Sequence, residues 1–225
     1  MRRFPPERIV CLTEETVETL YILGEEGRSV GVSGYAVRPK RVRREKPRVA
    51  AFTSADIPKI LALQPELVLT FSDLQADIAA ELIRAGVAVM AYNQRDVAGI
   101  LAMIRHLGAM VGQGARAEAL AQDYERRLDR VAAEAAKYGS PQVYFEEWDD
   151  PQIAGIGWVS ELNEIAGGRD VFAELAREGS AMGRIVTPEQ VIQANPEVIL
   201  ASWCGKKVRP EKITARPDWD QITEV

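Results

Sequence analysis

The sequence predicts an α/β fold of two similar lobes joined by a long rigid helix, with a ligand cleft between the lobes. Three observations predict it. Residues 57–71 (IPKILALQPELVLTF) and residues 188–202 (PEQVIQANPEVILAS) share one pattern: a polar first turn, an aliphatic pair, Pro-Glu, and an aliphatic run. Each copy reads as a helix stopped by proline, then a short strand buried on both faces. The copies lie far apart, which argues for two matched lobes and against a solenoid, whose repeats recur at short fixed periods. Finally, residues 115–138 (ARAEALAQDYERRLDRVAAEAAKY) carry apolar residues at helical spacing, dense charge, and no glycine or proline. That is one helix of about 24 residues, on the order of 35 Å long, stiff enough to act as a strut.

The elements follow in order. Arg8–Leu12 is a short apolar strand, and Glu14–Leu23 a helix with Thr13 as its cap and Gly24 near its end. Ser29–Ser33 (SVGVS) is a strand that opens into Gly34-Tyr35 and a basic loop, Arg38–Arg48. Thr53–Asp56 offers caps for a helix at Ile57–Leu63, where Pro58 is tolerated because it lies in the first turn. Leu67–Phe71 is a strand, Ala76–Ala85 a helix, Val87–Tyr92 a strand and Val97–Val111 a helix. Gly139-Ser140-Pro141 ends the long helix, and strand Gln142–Phe145 starts the second lobe. Helix Trp158–Ile165 is closed by Gly167-Gly168, as Leu20–Gly24 closes the opening helix; Thr187–Ala194 and Glu197–Trp203 complete the repeat. The expected organisation is therefore an N-terminal Rossmann-like lobe at 1–114, the connecting helix at 115–138, and a C-terminal lobe at 139–225. A second lobe matching the first should hold at least one more strand and helix, so it reads as truncated.

A length of 225 residues fits two small lobes, and 47% hydrophobic with 27% charged residues places the chain among ordinary globular proteins. A net charge of -5 argues against nucleic acid as the partner. No stretch approaches the roughly 20 apolar residues of a membrane helix. The N-terminus MRRFPPERIVCL is basic but meets Pro5, Pro6 and Glu7 where a signal peptide has an apolar core, so export is not expected from it.

Cys11 and Cys204, beside predicted strands, read as buried free thiols, and neither has CxxC spacing. The single histidine, His106, sits in the helical stretch ILAMIRHLGAMV and reads as structural; one histidine excludes a His-rich site for bare zinc or manganese. There is no GxSxG, no GxxxxGK[ST] and no HExxH. Adjacent acids at Glu14-Glu15 and Glu146-Glu147 point differently on a helix or strand, and Glu14 and Glu15 suit the positive end of a helix dipole. No catalytic residue and no enzyme emerges.

Taken in order, RIVCLTEETVETLYILG, VGVSGY, ILALQPELVLTF, the long helix, IAGG and TPEQVIQANPEVILAS resemble one family. The chain is similar over nearly its whole length to the cobalamin- and siderophore-binding proteins of ABC importers, most of all to the vitamin B12-binding branch. The resemblance implies a substrate-binding protein that holds a corrinoid, with no covalently bound cofactor. It implies a small-molecule ligand, ABC permease subunits as partners, a monomeric state and a periplasmic location. The same scaffold leaves two alternatives open: a ferric siderophore or haem-type chelate as ligand, or a cytoplasmic ligand-binding or interaction protein. In the family one surface glutamate per lobe docks the permease. Glu189 takes the C-lobe position, whereas the N-lobe position is Pro58, with Asp56 the nearest acid.

Ligands of doubly wound lobes meet the carboxyl ends of strands, which selects the site candidates. Tyr35 aligns with a ligand-facing tyrosine of the B12 branch, and Phe52 and Phe71 fall near its tryptophans; each could equally be core. Trp148 stands among Glu146, Glu147, Asp149 and Asp150, a patch suited to a cationic or hydrogen-bond-donating group with the indole as stacking surface. Trp203 ends the repeated strand, with Lys206 and Lys207 beyond it, while Trp158 opens a helix and reads as structural. Where the branch has its C-lobe tryptophan this chain has Gly183, flanked by Met182 and by Arg184, a further candidate. The run Arg38, Lys40, Arg41, Arg43, Arg44, Lys46 and Arg48 is either a solvated loop or an anion clamp.

Overall fold

Strand β1 (Ile9–Cys11) is the centre on which the first half of the chain is built. A computed structural model describes residues 4–222. The chain falls into two units: residues up to Gln94 with Ala98–Asp123, and Arg95–Val97 with the residues from Tyr124 onward.

In the first unit β1 leads into α1 (Glu14–Ile22), then β2 (Ser29–Ser33), α2 (Val42–Glu45), β3 (Arg48–Ala50), α3 (Ile57–Ala62), β4 (Leu67–Phe71), α4 (Ala76–Arg84), β5 (Val89–Tyr92) and α5 (Val97–Met110). The five strands are all parallel in the order β3-β2-β1-β4-β5. Chain direction across the sheet reverses between β1 and β4, whose register pairs Ile9 with Leu67 and Cys11 with Leu69. Ile9, Val10, Cys11, Val68 and Leu69 are wholly buried, as a parallel strand covered on both faces must be. The basic run is not one loop. It holds the short helix α2, whose Val42 is buried, and delivers β3 to the sheet edge.

Helix α6 (Gly114–Ala135) spans 22 residues, and its residues divide between the two units at Asp123 and Tyr124. The second unit continues with β6 (Gln142–Asp149), β7 (Gln152–Ala154), α7 (Gly157–Ile165), β8 (Arg169–Asp170), α8 (Pro188–Ala194), β9 (Val198–Ala201) and α9 (Pro210–Thr214). Its sheet is mixed: β8 and β9 pair with β6 in parallel, and β7 pairs with it antiparallel. The core under this sheet joins Tyr144, Val186, Val191, Trp203, Ile213 and Trp219. Tyr144 meets Phe172 and Trp219 edge to face, at 5.6 and 6.5 Å between ring centres.

The internal repeat has a local physical basis. α3 is capped by Asp56, which accepts from the Lys59 N–H at 3.0 Å, and α8 by Thr187 in a reciprocal box with Gln190. The other matched pair is α1 and α7, each followed two residues later by a glycine at positive φ, Gly24 at 74° and Gly167 at 90°. Only glycine adopts that conformation without strain, so these residues can end the helices there.

One half of the repeat departs from expectation. β4 is buried on both faces, but β9 is not: Val198 and Leu200 are exposed while Ile199 and Ala201 pack on the core. Among the described residues β9 pairs only with β6, which leaves its outer edge and one face uncovered. Cys204 also departs, being exposed, whereas Cys11 is buried; both are free thiols.

Candidate functional site

At the carboxyl ends of the first unit's strands a single buried amide ties three chain segments together. Gln75 Nε2 donates to the carbonyls of Phe52 (2.8 Å) and Leu12 (3.3 Å), and Gln75 Oε1 accepts from the Phe71 N–H (3.0 Å). Leu12 follows β1, Phe52 follows β3 and Phe71 ends β4, so Gln75 fixes the backbone beneath two of the aromatic candidates. Phe52 and Phe71 are themselves half-buried. Ser72 turns the chain sharply after β4, with φ at 59° and its hydroxyl accepting from the Leu74 N–H. Tyr35 stands half-exposed after β2. Its N–H donates to Ser33 Oγ (3.1 Å), and that hydroxyl donates to Glu14 (2.8 Å), which anchors the turn to the start of α1.

Glu15, beside Glu14, is placed differently. Burial raises its carboxyl above the ordinary range, against the opposing pull of the Thr13 hydroxyl, which donates to it at 2.7 Å. It is therefore a half-buried acid and not simply a dipole-facing charge, and Thr13 spends its hydroxyl on it without capping α1.

At the end of β6 the acidic patch is already matched with cations. Glu146 is wholly buried and accepts from Arg216 Nη1 (2.6 Å) and Nη2 (2.9 Å), Trp203 Nε1 (2.8 Å) and Tyr144 Oη (3.2 Å). Glu147 receives Arg184 Nη2 on both oxygens, at 3.0 and 2.9 Å. Arg184 also donates to the carbonyls of Ala154 and Glu178 and is buried, so its guanidinium is committed inside the protein. Asp149 pairs with Lys206. Burial pushes the Asp149 carboxyl up, but the Lys206 hydrogen bond, a backbone hydrogen bond and the charges of Lys206 and Lys212 together outweigh it and hold the group below the usual carboxylate range. Three of the four acids beside Trp148 thus have a cation of their own, and a vacant acidic cradle for a ligand is not what they form.

The aromatic candidates of this unit split. Trp203 is buried in the core. Trp148 is half-buried, with its indole N–H donating to the Asp150 carbonyl (2.8 Å) and the Lys206 ammonium over its ring at 3.8 Å. Trp158, in the first turn of α7, is also half-buried. Gly183 and Met182 lie in an exposed turn. Glu189 is exposed in the first turn of α8, beside a cleft of about 570 Å³ also lined by Gln152, Ile192 and Arg216. A hydrogen bond with Thr187 keeps its carboxyl below the ordinary range. Asp56 is exposed, with one oxygen engaged in capping α3.

In the basic run Arg38 pairs with Glu18, Arg41 with Glu26 and Glu45, and Lys46 donates to the Glu26 carbonyl. Lys40, Arg43 and Arg44 are exposed, with no ion pair to any described residue. His106 is exposed on α5, its ring edge-on to Tyr92 at 5.8 Å. Among the described residues no group of three or more His, Cys, Asp or Glu is placed to hold a metal ion, and no helix is long and apolar enough to cross a membrane.

Sequence reasoning missed Gln75, Arg216 and the reach of Lys206 over Trp148. Gln75 and Arg216 carry no local signal, because their partners come from distant segments. In the sequence Lys206 reads only as a charge beyond Trp203.

Comparison with known proteins bears on all of this. The family described as "Periplasmic binding protein" matches residues 9–225. A vitamin B12-binding protein of Vibrio parahaemolyticus is 26% identical over 205 residues, 90% of this chain and 73% of that one. An uncharacterized ABC transporter substrate-binding lipoprotein of Bacillus subtilis is 25% identical over 227 residues, covering 98% of this chain and 70% of that one. The crystal structure of S. aureus IsdE complexed with heme superposes with a TM-score of 0.80 at 20% identity, over 99% of this chain and 86% of that one, a likeness of fold alone.

Proposed function

The chain belongs to the periplasmic binding protein family, and from that premise we propose that it is the substrate-binding protein of an ABC-type importer and takes a corrinoid. The observation that carries the ligand is the similarity, over nine-tenths of this chain, to a protein named for vitamin B12 binding. The residues fit a ligand with broad apolar faces. Tyr35, Phe52 and Phe71 flank strand ends in the first unit, with Gln75 fixing the backbone under the two phenylalanines. In the second unit Trp148 has a fixed ring plane. Binding would draw on burial of aromatic and macrocycle surface, roughly 25 cal/mol per Å² before the costs of ordering. Glu189, exposed and ionised in the first turn of α8, is the permease-docking acid in this reading, and Asp56 is its counterpart on the first unit.

The test is a titration of the purified protein with cyanocobalamin, haemin and a ferric siderophore panel, followed by calorimetry and tryptophan quenching. Saturable one-to-one binding of cyanocobalamin is expected, weakened at least tenfold by Trp148→Ala. No binding of cyanocobalamin by the folded protein would sink the corrinoid assignment.

A second reading rests on Lys40, Arg43 and Arg44, three exposed cations around α2 that have no ion-pair partner among the described residues. They suit an anionic iron chelate, and affinity for such a ligand would fall steeply between low and high salt.

A further inference from the structure

The end of β6 and the segment after β9 together surround one ammonium group. Lys206 Nζ stands 3.8 Å from the ring centre of Trp148 and 5.2 Å from that of Trp203, and it pairs with the Asp149 carboxylate. Both indoles are held from behind. Trp148 is tied to the Asp150 carbonyl, and Trp203 to Glu146, whose charge Arg216 neutralises. Two fixed π faces and a carboxylate around a single positive charge is the arrangement by which proteins hold alkylammonium groups.

The three cations of this patch differ in how firmly they are seated. The side chains of Arg184 and Arg216 are 3% and 14% exposed and bind their carboxylates through planar guanidiniums. Lys206 is 38% exposed, on a flexible four-carbon stem, and its partner Asp149 is only 10% exposed. The anchored part of the arrangement is therefore the cage, and the more exposed, flexible part is its occupant.

We propose that Trp148, Trp203 and Asp149 form an alkylammonium-binding cage at the carboxyl ends of the second unit's strands, which Lys206 fills as a tethered occupant. The cage accepts an external ammonium group when Lys206 swings out. This goes beyond the corrinoid reading, which asks only for an apolar face from Trp148. A tether of this kind presents its charge at an effective concentration of about millimolar or above, so external cations compete poorly in the wild-type protein.

The experiment compares wild type, Lys206→Met and the control Lys207→Met at constant ionic strength. The probes are tetramethylammonium chloride, choline chloride and 3,3-dimethylbutanol, the neutral analogue of choline, followed by calorimetry and tryptophan emission. Lys206→Met is expected to bind both ammonium ions at least tenfold more tightly than wild type or Lys207→Met, and to bind the alcohol no better than they do. Adding Asp149→Asn should abolish the gain. Equal affinity in Lys206→Met and wild type, or binding of the alcohol as tight as that of choline, overturns the proposal. A measurement on the unaltered protein guards against misfolding of the variant: acetylation followed by mass spectrometry should modify Lys206 more slowly than Lys207. Equal rates would also overturn it. None of these outcomes depends on whether a corrinoid binds.

Discussion

Glu197 holds the opening of β6 by two hydrogen bonds to one residue, Gln142. Its N–H donates to the Gln142 carbonyl at 2.9 Å, and its carboxylate accepts from the Gln142 N–H at 2.8 Å. Glu66 does the same at the opening of β1: its N–H donates to the Arg8 carbonyl at 2.8 Å, and its carboxylate accepts from the N–H groups of Glu7 (2.6 Å) and Arg8 (3.3 Å). The residue before each Pro-Glu, Gln64 or Asn195, has positive φ and turns the chain out of its helix. The repeated dipeptide is thus a clasp between the end of a helix and the start of the neighbouring strand.

Removing either clasp should be costly and local. Glu66→Ala and Glu197→Ala should each lose about 1–2 kcal/mol, because a charge-assisted acceptor for strand-opening amides disappears. For a chain of this size that is a fall of roughly 2–8 °C in melting temperature by far-ultraviolet circular dichroism. Glutamine at either position retains an acceptor oxygen and should lose less. Alanine variants that melt with the wild type would show that the clasp contributes nothing.

The Glu146–Arg216 pair should be far more sensitive. Arg216→Ala leaves a wholly buried carboxylate without its cation, a change worth about 3–5 kcal/mol of destabilisation. Glu146→Gln with Arg216→Met removes both charges and should recover part of that loss. Urea unfolding of the single and double variants measures the coupling directly. A single variant as stable as wild type would mean that Arg216 is dispensable.

Glu15 predicts a pH dependence with a defined sign. Burial raises its folded-state pKa, with Glu14 adding to the rise and the Thr13 hydroxyl and Gln94 amide opposing it. The folded state therefore holds the proton more tightly than the unfolded chain does. The contribution to stability is complete below the ordinary glutamate range and is lost as pH rises through the raised value. Glu15→Gln should abolish this slope and be more stable than wild type at neutral pH, with the gap closing towards pH 4. Urea midpoints across that range test it; a gap that widens on acidification would contradict the sign.

The two thiols should react as different chemical species. Burial pushes Cys11 up to about 12, while Cys204 is exposed. The native protein should yield one fast-reacting thiol with a disulfide reagent, lost in Cys204→Ser, and two after denaturation. Rapid modification of both in native conditions would show that the β1 core opens readily.

Much of the architecture is legible because its signals are local. The strand Ser29–Ser33 follows from a run of alternating small and apolar residues, and the ends of α1 and α7 follow from Gly24 and Gly167. The elements that escape notice are all short: α2 and β3 at the basic run, β7, β8 and α9. The exposed face of β9 was not legible either, because its apolar sequence matches that of β4 and only pairing decides which faces are covered. The candidate site divides along the same line. Aromatic residues at strand ends can be picked from sequence, but whether Trp203 is core and Arg184 is committed depends on partners far along the chain. Glu146 and Arg216 are separated by 70 residues, and nothing near either one announces the other.

All four tryptophans, Trp148, Trp158, Trp203 and Trp219, lie in the second unit. The protein is optically lopsided: light absorbed at the red edge of the ultraviolet band comes back from one half of the chain only. An emission trace during unfolding is a record of the second unit, whereas circular dichroism averages over both. Any disagreement between the two midpoints therefore measures, without a single substitution, how independently the halves of this chain come apart.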